Sequence, residues 1–163
     1  MAVLPALGLI IYGAREQRQH AAIVAEQEAL RLARILSASH QRLIDSTGHL
    51  LVALARIPEI RNRHRAGCIE LLSDLIQVYP PYSNLAVADL NGEIFCEARS
   101  PGSAKNIADR GYFQRTVKDE KLSIGEYQLG RVTGKAVLNL GHPILDKRGT
   151  VAGVVFAAID LAW

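Results

Sequence analysis

The run Asp109-Arg-Gly-Tyr-Phe113 gathers the most useful recognition chemistry in the chain. Arg110 carries a planar fork of N–H donors that matches a carboxylate bidentately, and such a pair is stronger in a partly closed site than in water. Tyr112 brings a hydroxyl and an aromatic face, whereas Phe113 brings only the face. Each also has a plainer use, Arg110 in a surface ion pair and Phe113 in the core. Catalysis has far less to work with. No Gly-x-Ser-x-Gly elbow occurs. Gly130-Arg-Val-Thr-Gly134-Lys135 is one residue short of the G-x-x-x-x-G-K-[ST] phosphate loop, and Ala136 stands where that loop needs a hydroxyl for magnesium. No nucleophile, base and acid fall into one constellation, so the chain reads as a binding protein and not an enzyme.

Metal chemistry is equally thin. The five histidines (His20, His40, His49, His64 and His142) are dispersed, and no Cys-x-x-Cys occurs. No metal and no cofactor is expected. Cys68 and Cys96 are the two cysteines. By count alone they fit a free buried pair as well as a bridge. Export from the cytoplasm would favour a disulfide, closing a loop of roughly thirty residues that the chain-entropy model values at about 3–4 kcal/mol.

The elements that must position these groups follow from periodicity. From Ala14 to Arg56 there is no proline and only Gly48 interrupts a run rich in Ala, Leu, Glu, Gln and Arg, all good helix formers. Apolar or small residues recur at Leu32, Leu36, Ser39, Leu43, Ser46, Leu50, Ala53 and Ile57. That alternation of four and three predicts a heptad-like stripe. A second stripe, Ile23, Leu30, Ile44 and Leu51, lies beside it. The C-terminal half is expected to pack on the domain's own sheet. The more polar N-terminal half, about Arg15 to Ala33, is expected to project as a stalk and to form a dimer coiled coil. Pro58 ends or bends the helix.

A short helix is predicted from Cys68 to Val78, stopped by Pro80-Pro81. The period then changes. Asn84 to Asp89 reads as a strand, Leu90-Asn91-Gly92 as a hairpin turn needing positive φ, and Glu93 to Glu97 as the partner strand. Ser100 to Ala108 reads as a polar loop. Asp109 is placed to cap a short helix, DRGYFQRTVKD. Three more strands follow at Leu122–Leu129, Lys135–Leu145 and Thr150–Leu161, joined by turn-like links. Antiparallel strands with segregated helices give an α+β class.

The chain has 163 residues, a formal charge of +3 and 21% charged residues, which suits one globular domain. Its basic residues are scattered, without the dense basic stripe and interleaved aromatics of a nucleic-acid surface, so no nucleic-acid partner is expected. Ala2 to Gly13 carries no charge. It is about half of the ~20 apolar residues a spanning helix needs. It fits the core of a signal peptide in length, but no basic region precedes it. The preferred reading is the trailing part of a transmembrane helix.

Taken in order, these segments resemble the Cache family of bacterial sensor domains, which are PAS-like. The resemblance rests on the long helix leaving an apolar segment and on PYSNLAVADLNGEIFCEA (Pro81 to Ala98) as a first hairpin. It rests further on DRGYF (Asp109 to Phe113) as a short-helix motif with an arginine and an aromatic pair. GEYQLGRVTGKAVLNLGHPILDKRGTVAGVVFAAIDL (Gly125 to Leu161) supplies the closing strands. It covers about Ile57 to Leu161, and divides the chain into residues 1–13, a membrane-segment remnant, 14–57, the long helix, and 58–163, the sensor domain. A subset of the family has one cysteine before the first strand and one in the second; Cys68 and Cys96 match it, and a disulfide is implied.

What the resemblance implies is a five- or six-stranded antiparallel sheet with the long helix on one face and short helices on the other. It implies an extracytoplasmic domain of an inner-membrane receptor, facing the periplasm. The output domain would be a histidine kinase, a diguanylate cyclase or a chemotaxis transducer. A small-molecule pocket is implied between sheet and DRGYF segment; by their side-chain chemistry Arg110, Tyr112, Phe113, Tyr127 and Asn139 are the expected ligand contacts there. Members that bind amino acids hold the ligand's ammonium with an aspartate on the last strand; that position is Ala158 here, so a simple carboxylate is favoured over an amino acid. The competing expectation is a structural or dimerisation module that transmits motion along the long helix without a ligand.

Overall fold

The computed structural model describes residues 38–99 and 106–163. The expected membrane-segment remnant at residues 1–13, the polar stalk, and Ile23, Leu30, Leu32 and Leu36 of the two helix stripes lie outside the described residues. Contacts divide the chain into Met1–Leu43 and Ile44–Trp163, and the second unit carries everything that follows.

Helix α1, helical from residue 38 to 54, enters this unit at Ile44. Within it Thr47, Leu51 and Leu54 are at most 2% exposed. The buried face is therefore the one containing Ile44 and Leu51. Ser46 and Ala53 of the heptad-like stripe are exposed, and Leu50 is half-buried. The reason is a buried hydrogen bond from α1 to the sheet, Thr47 Oγ1 to Tyr82 Oη at 3.1 Å, and Gly48, which lets Leu122 approach. Helix α1 stops before Pro58. That proline instead starts the single turn α2 (Pro58–Arg61), as its fixed φ allows at a helix N-terminus. Helix α3 (Arg65–Val78) buries Cys68, Leu72 and Ile76 at successive spacings of four.

The strands are β1 (Tyr82–Asp89), β2 (Ile94–Glu97), β3 (Ser123–Leu129), β4 (Ala136–Leu145) and β5 (Val151–Asp160), with helix α4 (Gly111–Asp119) before β3. They form one five-stranded sheet in the order β2-β1-β5-β4-β3, and every pairing is antiparallel. The β1–β2 and β4–β5 hairpin turns use the same device. Asp89 Oδ1 accepts from the N–H of Asn91 and Glu93, and Gly92 follows at φ 79°. Asp146 Oδ1 accepts from the N–H of Arg148 and Thr150, and Gly149 follows at φ 82°. A short carboxylate caps each turn and a glycine takes the left-handed position.

The sheet has two unlike faces. Register places Leu85, Val87, Leu140, Val155 and Ala157 together on one of them, all fully buried. A bulge between Tyr82 and Asn84 turns Tyr82 to this same face, where it meets α1. Helix α3 shares the face, tied to Cys96, the partner of Val87, by the Cys68–Cys96 disulfide with Cα atoms 6.1 Å apart. The short helices thus divide: α3 joins α1, and α4 covers the opposite face. There Tyr112 and Phe113 of α4 cluster with Ala86, Ala88, Ile107, Val154 and Phe156.

Candidate ligand cavity

Two local irregularities build the second face. Asp109 does not cap α4 as the sequence predicted. The N-cap residue is Arg110, in extended conformation and without a side-chain cap. Asp109 is drawn away by Arg131, whose guanidinium binds both of its carboxylate oxygens and also donates to the carbonyl of Asn106. That bidentate grip outcompetes a cap because both partners are charged. It holds the Asp109 carboxyl below its ordinary range, and Arg131 above its own.

The other irregularity is a bulge in β3 between Ile124 and Tyr127. A strand alternates faces with period two, so one extra residue exchanges the faces beyond it. Tyr127 pairs with Leu138, which shares the face of the sheet toward α1 and α3, and is 67% exposed. The structure thus places Tyr127 outside the cavity that it was expected to close. Gln128 takes the inward position and accepts a hydrogen bond from Arg110 Nη1.

The result is a cavity of about 40 Å³ between the sheet and the segment that enters α4. Arg110, Tyr112, Gln128 and the hairpin from Leu129 to Thr133 form its walls; Asn84, Asn139, Phe156 and Ala158 form its floor. Ala158 pairs with Asn84 on one side and Asn139 on the other. The floor is therefore an alanine between two amides. No lining residue carries a carboxylate.

Of the residues expected from sequence, the structure brings Arg110, Tyr112 and Asn139 together in this cavity and leaves two outside. Phe113 is 4% exposed and lies in the apolar cluster beside it. Tyr127 is the other. Tyr112 is itself 2% exposed and rests against the Phe156 ring, centroids 5.8 Å apart. Burial pushes its phenol above the ordinary value, so it is a hydroxyl donor throughout the neutral range. Neither Tyr112 nor Asn139 hydrogen-bonds through its side chain to another described residue. Every sealed side-chain nitrogen or oxygen among the described residues has a partner. Their hydroxyl and amide therefore reach the open space of the cavity. Asn84 is more occupied: its Oδ1 accepts from the N–H of Arg99 at 3.2 Å, and its Nδ2 lies 3.5 Å from Glu97.

Sequence reasoning missed Asn84, Gln128, Arg131 and Thr133. Asn84 left a signal, as the lone amide of its strand, just before the apolar run Leu85–Ala88. Gln128 left none, because its position depends on the bulge. Arg131 and Thr133 sit in a segment that read only as a connector. Thr133 Oγ1 accepts from Ser83 Oγ at 2.9 Å, which ties the hairpin down across the cavity mouth.

No protein-family model matches the chain. It is 22% identical over 165 residues to sporulation kinase D of Bacillus subtilis (strain 168), a match that takes in 99% of this chain and 32% of that protein. Among solved structures it is similar to the sensor domain of the V. cholerae histidine kinase DctB, with a TM-score of 0.71 and 18% identity over 88% of this chain and 58% of that one. It is also similar to the ligand-binding domain of the Pseudomonas fluorescens chemoreceptor CtaA in complex with L-serine, with a TM-score of 0.61 and 16% identity over 75% of this chain and 53% of that one. The Campylobacter jejuni chemoreceptor Tlp3 domain in complex with L-valine gives a TM-score of 0.59 at 15% identity, over 76% of this chain and 54% of that one. The chain thus spans about a third of the curated relative and little more than half of each solved domain. Its fold is the Cache-like fold of bacterial sensor domains, and the matched domains are the sensory rather than the catalytic parts of their receptors.

Proposed function

We propose that this chain is the extracytoplasmic ligand-sensing domain of a transmembrane signalling receptor, and that its cavity takes a very small carboxylate on Arg110. The observation that carries the reading is a guanidinium at the wall of a cavity that no carboxylate lines. Gln128, its hydrogen-bond partner there, is neutral and leaves the charge of Arg110 uncompensated by that contact. Tyr112 and Asn139 add a hydroxyl and an amide, which suit the second oxygen or a small polar substituent. An ammonium group has no anionic partner, since the floor between the amides is Ala158. This argues against an amino acid, unlike the ligands of Tlp3 and CtaA. Size narrows the class further. The concavity is small, about 40 Å³, which favours the smallest carboxylates.

The apolar residues 2–13 would anchor the domain in the inner membrane, with the sheet on the periplasmic side. The long helix would carry both the dimer contact and the signal. A ligand can shift such a receptor only through unequal affinity for two states, and the Thr47–Tyr82 bond couples that helix to the sheet.

A thermal-shift screen of formate, acetate, propionate, succinate, simple amines and purines tests the proposal. At least one of the small monocarboxylates should raise the melting temperature with concentration, by about 2.7 kcal/mol of stability at a hundredfold excess over Kd. Arg110→Ala should abolish the rise while leaving the unliganded melting temperature nearly unchanged. A rise that survives in Arg110→Ala would refute the assignment of the residue. No rise with any compound would favour a ligand-free module that only dimerises and transmits motion.

A further inference from the structure

A second concavity lies at the corner where the chain passes from α1 through α2 and where the β4–β5 turn comes alongside. It measures about 380 Å³, and Arg56, Arg61 and Lys147 stand on its rim. All three are exposed. None of them belongs to any of the ion pairs among the described residues. Asp146, the one carboxylate at the rim, spends its Oδ1 on the backbone N–H groups of its own turn. The rim therefore carries three cations against one anion already engaged.

The corner is also held in shape. Arg63 has φ 55°, a left-handed value that a non-glycine residue takes only when its surroundings enforce it. Its guanidinium donates to the carbonyl of Ala152 at 3.0 Å and lies 5.8 Å from the centre of the Phe95 ring. These two anchors fasten the α2–α3 junction to the sheet, and so fix Arg61 and Asn62 on the wall of the cleft. Like charges gathered around a concavity repel one another and raise a positive potential in it. An anion with more than one charge relieves that repulsion. Guanidinium forks and a lysine point charge together match phosphate oxygens.

We propose that this corner is a second binding site, for a small, soluble, multiply charged oxyanion of the phosphate-ester type. It is separate from the cavity at Arg110, and no residue lines both.

Calorimetric titration of the full chain with pyrophosphate at constant ionic strength tests it. Saturable binding is expected, weakening as salt is raised. Arg61→Gln/Lys147→Gln should lose at least about tenfold in affinity, while Arg110→Ala retains it. Both replaced side chains are exposed, so an unchanged circular dichroism spectrum verifies the fold of the double variant. Absence of saturable heat, or equal affinity in the double variant, would overturn the site. Tighter binding of citrate than of pyrophosphate would overturn the phosphate-type assignment. Sedimentation with phosphatidylglycerol vesicles, lost in the double variant and reversed by pyrophosphate, would overturn the soluble ion in favour of a lipid headgroup.

Discussion

One sheet presents two faces of opposite character, and its five strands contribute to both. Toward α1 and α3 the sheet offers Leu85, Val87, Leu140, Val155 and Ala157, all fully buried. Toward α4 it alternates the apolar Ala86, Ala88 and Phe156 with Asn84 and Asn139. The first face is continuous apolar surface, sealed by helices and stapled by a disulfide. The second is interrupted by polar groups, one of which, the Asn139 amide, reaches the open space of the cavity. Burying apolar area stabilises by roughly 25 cal/mol per Å², whereas burying an amide without a partner costs about 1–3 kcal/mol. One face therefore supplies stability, and the other gives some of it up, as the proposed ligand site would require.

Substitutions that act on one face at a time should separate these roles. The largest effect should come from the helix side. Cys68→Ala/Cys96→Ala removes the cross-link between α3 and β2 and should lower stability by about 3–4 kcal/mol, read from urea denaturation. Ligand affinity, measured where the variant remains folded, should not change. A loss of affinity there would mean that the two faces are not independent.

The cavity side should behave in the opposite way. Asn139 is 6% exposed on β4, and its amide meets only the cavity. Asn139→Val has high strand propensity and removes that unpaired amide. Melting temperature should hold or rise, while carboxylate affinity falls about tenfold. A marked loss of stability would mean that Asn139 supports the fold and not a ligand.

The contrast between faces also explains what could be read from the residues alone. The apolar face was legible because burial imposes periodicity. The strands lie within two residues of their predicted limits. The turn at Asn91-Gly92 formed, with Gly92 alone taking a positive φ. The cavity face was legible only in part. Arg110 and Tyr112 are there because they stand at the start of α4, the segment that borders the cavity. Tyr127 and Gln128 exchanged places because of the β3 bulge. Nothing in Ser-Ile-Gly-Glu-Tyr-Gln-Leu announces that bulge, since alternation in β3 is set by pairing with β4. Asp109 was a plausible cap until a distant partner, Arg131, claimed it. In α1, both stripes are apolar enough to pack, and the bond to Tyr82 together with the approach of Leu122 at Gly48 selects between them. Long-range pairing decided each of these cases, and local sequence does not encode it.

The smallest effect expected is a pH dependence confined to the helix side. His142 pairs with Val155 on that face and is half-buried. Burial pushes its pKa below the ordinary 6.5, with Arg56 adding to the shift and the Pro143 carbonyl, 2.8 Å from Nδ1, opposing it. The folded chain therefore takes up this proton less readily than the unfolded one. As pH falls below 6.5, the unfolded state binds more protons and stability declines; above it the contribution is constant. One such group can change stability by at most about 1.4 kcal/mol per pH unit, and a half-exposed ring should reach only a fraction of that. His142→Gln should flatten the stability profile between pH 7 and pH 5, roughly the interval over which an imidazole titrates. The cavity side should add no slope there, because Tyr112 stays protonated and Asp109 stays ionised across the interval. A profile that keeps its slope in His142→Gln but loses it in Asp109→Asn would reverse this assignment and place the pH-sensitive group at the cavity mouth.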